Sequence, residues 1–396
     1  MNPVTTIAKL PRCQTSHSQI AGRTRAGVSR APHRLAAILI GLAGTSASAQ
    51  PLYSVTDLGV LPGCTSSAPS NLNDHGDIVG ACSSGAANYT YSAFVWRAGT
   101  MSAVGKLTGG NYSEATAINA AGKITGSGDT GNIRPQAWVT NGSGLINIFP
   151  NNGGNTRTVF IGENGVIGGY YTKSLSGNTA SWKGAIWTPD AKDPRKYRTT
   201  DLPILAGGID PKFSAAIPSA FNQSGQAAGY AVNDQIGQHA AFWNNDATHT
   251  IVDLGVFPGD WSSVSYGMND LGQVVGESHP PFASRPVFWN SDAAHTAYEL
   301  PVLAGDNCGS ATAINNLGQA IGVSYACTPG SWEATTPRIT VWRDNGVFEL
   351  QSLLDAGTGA GWNLISAVAI NNVGQIAAMG MRNGVARALL LTPSAP

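Results

Sequence analysis

The stretch Ile314–Ser324, INNLGQAIGVS, decides the architecture of this chain because it does not occur once. Near-copies read LNDHGDIVGA (72–81), INAAGKITGS (118–127), FNQSGQAAGY (221–230), MNDLGQVVGE (268–277) and INNVGQIAAM (370–379). A further copy, IGENGVIGGY (161–170), carries Gly162 where the others have Asn. The shared phrase is N-x-x-G-x-[IVA]-x-G, with its first glycine at Gly76, Gly122, Gly165, Gly225, Gly272, Gly318 and Gly374. Asn followed by Gly between short apolar runs is hairpin chemistry. The Asn side chain caps the entering strand and Gly takes the positive φ that closes the loop. NDHGD has some likeness to a cation loop, but four of the seven copies lack the extra carboxylate that a hard cation wants.

Two other elements recur in step with the phrase. Each of the first six copies is followed by an apolar run ending in tryptophan, at Trp96, Trp138, Trp187, Trp243, Trp289 and Trp342. In the seventh, ALLL puts Leu390 in that place, and Ala378 replaces the closing glycine of the phrase. The third element is [DE]-L-x-x-L, as in DLGVL, DLPIL and ELPVL. Each repeat therefore holds four short segments of alternating polar and apolar residues, with no sustained helical period. Seven such units of about fifty residues predict an all-β, seven-bladed β-propeller. The chain ends support this: LYSVTDLG is a lone fourth segment, and the last repeat stops at ARALLL without one. An N-terminal strand joining the C-terminal blade would close the ring and remove an open sheet edge.

The combination of AxAIN, GQxxG and xAFxW resembles the HAF family of extracellular repeats, over essentially all of Tyr53–Leu391. The resemblance implies export and a repeat fold, and it brings no catalytic residues to carry over.

Residues 1–49 read as a cleaved signal peptide: a basic region from Lys9 to Arg34, an apolar run Leu35–Ala43, then Ala47-Ser48-Ala49. That run is shorter than the roughly 20 residues a membrane span needs, and no later stretch qualifies. Residues 50–396 are then one propeller domain, exported to the periplasm or the exterior. Zero formal net charge with only 12% charged residues argues against a nucleic-acid partner. Cys13 leaves with the leader, and an even set of four remains. Cys64 and Cys82 straddle the first phrase and Cys308 and Cys327 the sixth, so the predicted disulfides are Cys64–Cys82 and Cys308–Cys327. No CxxC spacing suggests a metal site, and no cofactor is implied.

With segments running from the axis outward, connections one-to-two and three-to-four share one face. Connections two-to-three and four-to-one share the other. The first set is nearly constant in length and the second varies widely, which makes the variable face the expected binding rim. Trp182, Trp261, Trp332 and Trp362, with Tyr89, Tyr91, Tyr112 and Tyr266, fall by this reading in the variable connections. Such aromatics stack on sugar rings or anchor a protein partner, or else plug their own loops. Small residues of segment one, Ala115, Ala117, Ala311, Ala313, Ala367 and Ala369, are expected at the crowded axis.

No GxSxG, HExxH, SxxK or phosphate loop occurs. His249 and His295 sit at matching places in DATHT and DAAHT and read as structural. Loop acids (Asp129, Asp210, Asp234, Asp260, Glu277, Asp306, Glu333) could pair for acid–base work on a polysaccharide. The sequence thus points first to a non-enzymatic module that binds a glycan or protein. A propeller hydrolase or lyase is the alternative, and a structural cell-surface component is the third reading.

Overall fold

A computed structural model describes residues 52–85, 91–131, 134–142, 144–149, 154–174, 180–207, 215–233, 235–331 and 333–394. The expected leader, Tyr89, Trp332, Asp210 and Asp234 lie outside the described residues.

Strand β1 (Tyr53–Asp57) comes first and stands apart from its sequence neighbours. Blade one follows with β2 (Ser66–Leu72), β3 (Ile78–Ser83), β4 (Tyr91–Arg97) and β5 (Thr100–Ala103). Blade two holds β6 (Ser113–Ile118), β7 (Ile124–Gly128), β8 (Gln136–Asn141) and β9 (Gly144–Asn147). Blade three holds β10 (Thr156–Ile161), β11 (Ile167–Ser174), β12 (Ala180–Pro189) and β13 (Tyr197–Asp201). Blade four holds β14 (Ala215–Phe221), β15 (Ala227–Asn233), β16 (Gly237–Trp243) and β17 (Ile251–Gly255). Blade five holds β18 (Ser262–Met268), β19 (Val274–His279), β20 (Arg285–Trp289) and β21 (Ala297–Glu299). Blade six holds β22 (Cys308–Ile314), β23 (Ala320–Tyr325), β24 (Arg338–Arg343) and β25 (Gly346–Glu349). In the last sheet β26 (Asn363–Ile370), β27 (Ile376–Arg382) and β28 (Val385–Pro393) are completed by β1, paired antiparallel from Tyr53↔Pro393 to Asp57↔Leu389. Seven four-stranded antiparallel sheets result, as the repeats predict. The fold is a seven-bladed β-propeller.

Its core is divided into seven wedges, each buried between adjacent blades. Trp187 and Tyr171 of blade three pack with Val139 and Ile148 from blade two, and Trp243 meets Leu202 and Leu205 of blade three. The framework tryptophans are the keystones of these wedges, and Trp138, Trp187 and Trp243 are fully buried. Trp243 Nε1 donates to Pro203 O at 2.8 Å and Trp342 Nε1 to Pro301 O at 2.7 Å, each reaching the preceding blade just past its [DE]-L step.

The recurrent Asn does more than cap its own hairpin. Asn269 Oδ1 accepts from the Gln273 N–H at 3.0 Å, while its Nδ2 donates to Asn315 O of the next blade at 2.9 Å. Asn315 likewise reaches Asn371 O at 2.9 Å, and Asn371 reaches Asn73 O at 3.0 Å, across the ring closure. A second belt runs beside the first. The backbone N–H after each Asn donates to the side chain at the same position one blade on, as Asn372 to Asp74 Oδ1 at 2.9 Å and Asp270 to Asn316 Oδ1 at 2.8 Å. The belts break where the side chain is missing: the first at Gly162, which cannot reach Asn222, and the second at Ala120, which offers Asp74 no acceptor. Gly162→Asn is expected to restore the link to Asn222 and raise unfolding stability by about 1 kcal/mol, read as a higher urea midpoint. The nearest atom to an added Cβ is the side-chain Oδ1 of Asn164 at 2.9 Å, which can rotate away. A lowered midpoint would mean that this copy was built around its glycine.

Both predicted disulfides form, Cys64–Cys82 and Cys308–Cys327, each with Cα atoms 5.9 Å apart. Among the described residues no helix is long and apolar enough to cross a membrane.

Candidate functional site

The closing glycine, present in six of the seven phrases, sets the shape of the axis. A Cβ on Gly126 would lie 2.1 Å from Glu114 O, and on Gly276 2.0 Å from Val264 O, far inside contact distance. The innermost strand presses against the second strand here and makes room by bulging one residue out of the ladder. The register shifts fall at Pro69/Asn71, Ala115/Ala117, Thr158/Phe160, Pro218/Ala220, Ser265/Gly267, Ala311/Ala313 and Ala367/Ala369. Blade seven, where Ala378 stands at the glycine position, shows a second shift at Leu364/Ser366.

The extruded residues are Ser70, Thr116, Val159, Ser219, Tyr266, Thr312 and Val368, and all of them line one axial cavity of about 490 Å³. Five of these seven carry a hydroxyl, so the bulges place a ring of paired donor–acceptor groups around the channel. The expectation for the alanines is corrected in part. Ala115, Ala117 and Ala311 are buried between blades, whereas Ala313 and Ala369 do line the cavity. The bulge inverts the inward–outward alternation along the strand, which is why counting from the Asn misassigns the axial set.

Among the described residues one acid and one cation line the cavity, and they pair: Arg157 Nη1 lies 2.7 Å from Glu114 Oε1 across blades two and three. Tyr170 and Tyr266 also line the cavity, and Tyr112 and Tyr230 lie close enough to Glu114 and Tyr170 to feel them. Burial, then the Glu114 charge, pushes the Tyr112 phenol up to about 12. Burial and the neighbouring Tyr170 push Tyr230 up to about 12 as well. Tyr266 donates to Glu277 Oε1 at 2.5 Å, and burial and that carboxylate drive its pKa far up. Burial would raise Glu277, but His279, Tyr266 and Ser310 outweigh it and hold the carboxylate below its ordinary range. The His279 ring, 3.2 Å away through Nε2, is raised by the same partnership against its own burial. Asp129 is likewise held low, its burial outweighed by N–H donors from Tyr112, Asn111 and Gly131. Among the described residues no group of three or more His, Cys, Asp or Glu could hold a metal ion.

Three of the aromatics singled out by sequence gather about this channel. Tyr112 precedes β6 at the mouth, Tyr266 is a bulge residue, and Trp182 packs edge-on to the channel residue Tyr170 with centroids 5.5 Å apart. Two of these placements are corrections. Tyr266 belongs to β18 and Trp182 to β12, because the Thr172↔Trp182 pairing continues the β11–β12 ladder past the expected strand ends. Tyr91 likewise opens β4 instead of lying in a loop. Trp362 is buried in the wedge between blades six and seven with Arg382 5.6 Å from its ring centroid, so it plugs its own loop. Trp261 remains exposed at 60%. His249 and His295 occupy tight three-to-four hairpins at φ 50° and 44°, as the repeat equivalence suggests.

No family model and no curated protein matches the chain. Solved structures do. The β-propeller domain of the Trilobed protease from Pyrococcus furiosus aligns at TM-score 0.47 and 10% identity, over 86% of this chain and 95% of that one. A gluconolactonase from Xanthomonas campestris aligns at TM-score 0.36 and 12% identity, over 70% of this chain and 89% of that one. A lectin from Aleuria aurantia in complex with alpha-methyl-L-fucoside aligns at TM-score 0.34 and 13% identity, over 80% and 100%. Such likeness concerns the propeller alone and carries no residue-by-residue correspondence.

Proposed function

We propose that this protein is an exported binding module of HAF type whose channel takes a neutral saccharide, entering from the variable face. One observation carries the reading: the bulge hydroxyls and the Glu114–Arg157 pair make a cavity wall that is polar and charge-balanced. A sugar presents hydroxyls that both donate and accept, which such a wall satisfies without stranding a charge. The tyrosines add ring faces and hydroxyls that stay protonated at neutral pH. Two disulfides and the signal-peptide pattern support an oxidising, extracytoplasmic address.

Cleavage of a glycan would need a carboxyl held protonated near neutrality beside an ionised one. Asp129 and Glu277 are displaced in the opposite direction. Tyr266 is kept from ionising by burial and by its carboxylate partner, and so serves better as a donor than as a nucleophile. These features favour binding over turnover.

The test is an array of neutral and acidic oligosaccharides, probed with the parent and with Glu114→Gln/Arg157→Gln, which removes both charges and leaves a polar amide at each position. Selective capture of neutral glycans by the parent, weakened roughly tenfold or more in the double variant, is the expected result. Capture unaffected by the variant, or confined to acidic glycans, would reject the channel as the site.

A further inference from the structure

Among the described residues seven non-glycines have positive φ, and Phe282, at 62°, is the aromatic one without a hairpin counterpart elsewhere in the ring. It lies in the two-to-three connection of blade five, in HPPFA, where the Ala283 N–H donates to Pro280 O at 3.2 Å. Pro281 fixes the first central position of this turn, and the second, which Phe282 fills, is the place where glycine is normally found. A bulky side chain there is strained, and strain of this kind persists where the surroundings or the function demand it.

The strained turn aims the ring at Trp261, edge to face with centroids 6.3 Å apart and planes at 64°. Trp261 immediately precedes β18, the innermost strand, so it stands at the channel mouth. Its backbone is anchored, the N–H donating to His279 O at 2.8 Å, while the residue stays 60% exposed. Polar groups flank the pair. Arg285, partly exposed, is held between Glu299 at 3.4 Å and the fully buried Asp260 carboxylate at 3.6 Å. Exposed indole, strained aromatic and the flanking Arg285 donor with its two carboxylate acceptors form a platform whose net charge is small. That suits the apolar C–H face of a pyranose with its hydroxyls turned to the rim.

We infer that Trp261 and Phe282 form a second saccharide subsite at the blade-five mouth of the channel, making the ligand an oligosaccharide instead of a single sugar. The inference rests on the channel reading proposed above. Tyr266 in the channel and Trp261 at the mouth are five residues apart on one extended segment, about 16 Å. One glycan chain can bridge that distance, and a monosaccharide cannot.

Titrations with laminarihexaose, cellohexaose, maltohexaose and mannohexaose, each beside free glucose or mannose, test this on four proteins: the parent, Trp261→Ala, Phe282→Gly and Glu114→Gln/Arg157→Gln. The expected pattern is a hexasaccharide bound more tightly than its monomer by the parent. Both platform variants should weaken the hexasaccharide roughly tenfold while leaving the monomer unchanged, and the channel variant should weaken both. Phe282→Gly should also raise Tm, because glycine relieves the φ of 62°. Loss of binding with gain of stability separates a ligand platform from a structural plug. A lowered Tm in Phe282→Gly, or a Trp261→Ala protein that holds the hexasaccharide like the parent, overturns the subsite. If monosaccharides bind in the channel with no gain from chain length, the subsite fails and the channel reading stands. If no saccharide of either length binds the parent, both fail together.

Discussion

Deleting residues 52–57 is expected to abolish cooperative unfolding and leave an aggregating protein. Those residues include all of β1, which pairs with β28 through five register positions and brings Tyr53 (1% exposed) and Val55 (9%) into the wedge between blades six and seven. Losing a buried aromatic alone costs about 3–5 kcal/mol, against a typical domain stability of 5–15 kcal/mol. The deletion also strips supports from the blade-seven loop. The Tyr53 carbonyl accepts from the Asp355 N–H at 2.8 Å, and Val55 N–H donates to Thr358 Oγ1 at 2.9 Å. The newly bared β28 edge would present the alternating Leu389 and Leu391 and a row of unpaired backbone groups. Thermal melts and size-exclusion chromatography read the outcome, and a synthetic peptide spanning 52–59 should restore part of the monomer peak. A deleted protein that melts cooperatively within a few degrees of the parent would show that the ring does not depend on this strand.

Removing both disulfides, as Cys64→Ala/Cys82→Ala with Cys308→Ala/Cys327→Ala, is expected to cost about 6 kcal/mol, about 3 for each loop. Each bridge closes a short segment, with sequence separations of 18 and 19 residues. Cys82 and Cys308 are fully buried, so packing is lost along with the constraint on the unfolded chain. The bridges sit in blades one and six, too far apart to share partners, and their effects should add. Urea unfolding of the parent, the two single-bridge variants and the bridgeless protein measures this. A loss below 1 kcal/mol for either pair would mean that its hairpin holds without the crosslink.

The turn phrase, the tryptophans and the chain ends told the number of blades, their four-strand make-up and the closure. Each depends on local chemistry repeated seven times. A glycine required at positive φ in Gly76 is required again in Gly122 and Gly318, and φ at these positions is 80°, 76° and 73°. The cysteine pairs were legible for the same reason, since each straddles a single hairpin. Tyr266 was not. Its side chain faces the axis because a bulge shifts the parity of β18, and that bulge is signalled only indirectly, by the closing glycine on the facing strand. Ala378, the one departure at that position, accompanies the one inner strand with a second shift, so the signal existed in the repeat alignment.

Trp362 and Trp261 read alike in sequence, both as loop tryptophans, and only packing separates a plug from an exposed platform. The belts were equally hidden. Asn315 and Asn371 are 56 residues apart, and their hydrogen bond exists only because consecutive blades stand side by side around one axis. By itself the sequence determined what short-range chemistry can encode: strands, turns, bridges and the count of blades. Which side chains meet across the channel and between blades was decided by the tertiary structure, because those meetings depend on strand parity and ring geometry that no single repeat contains.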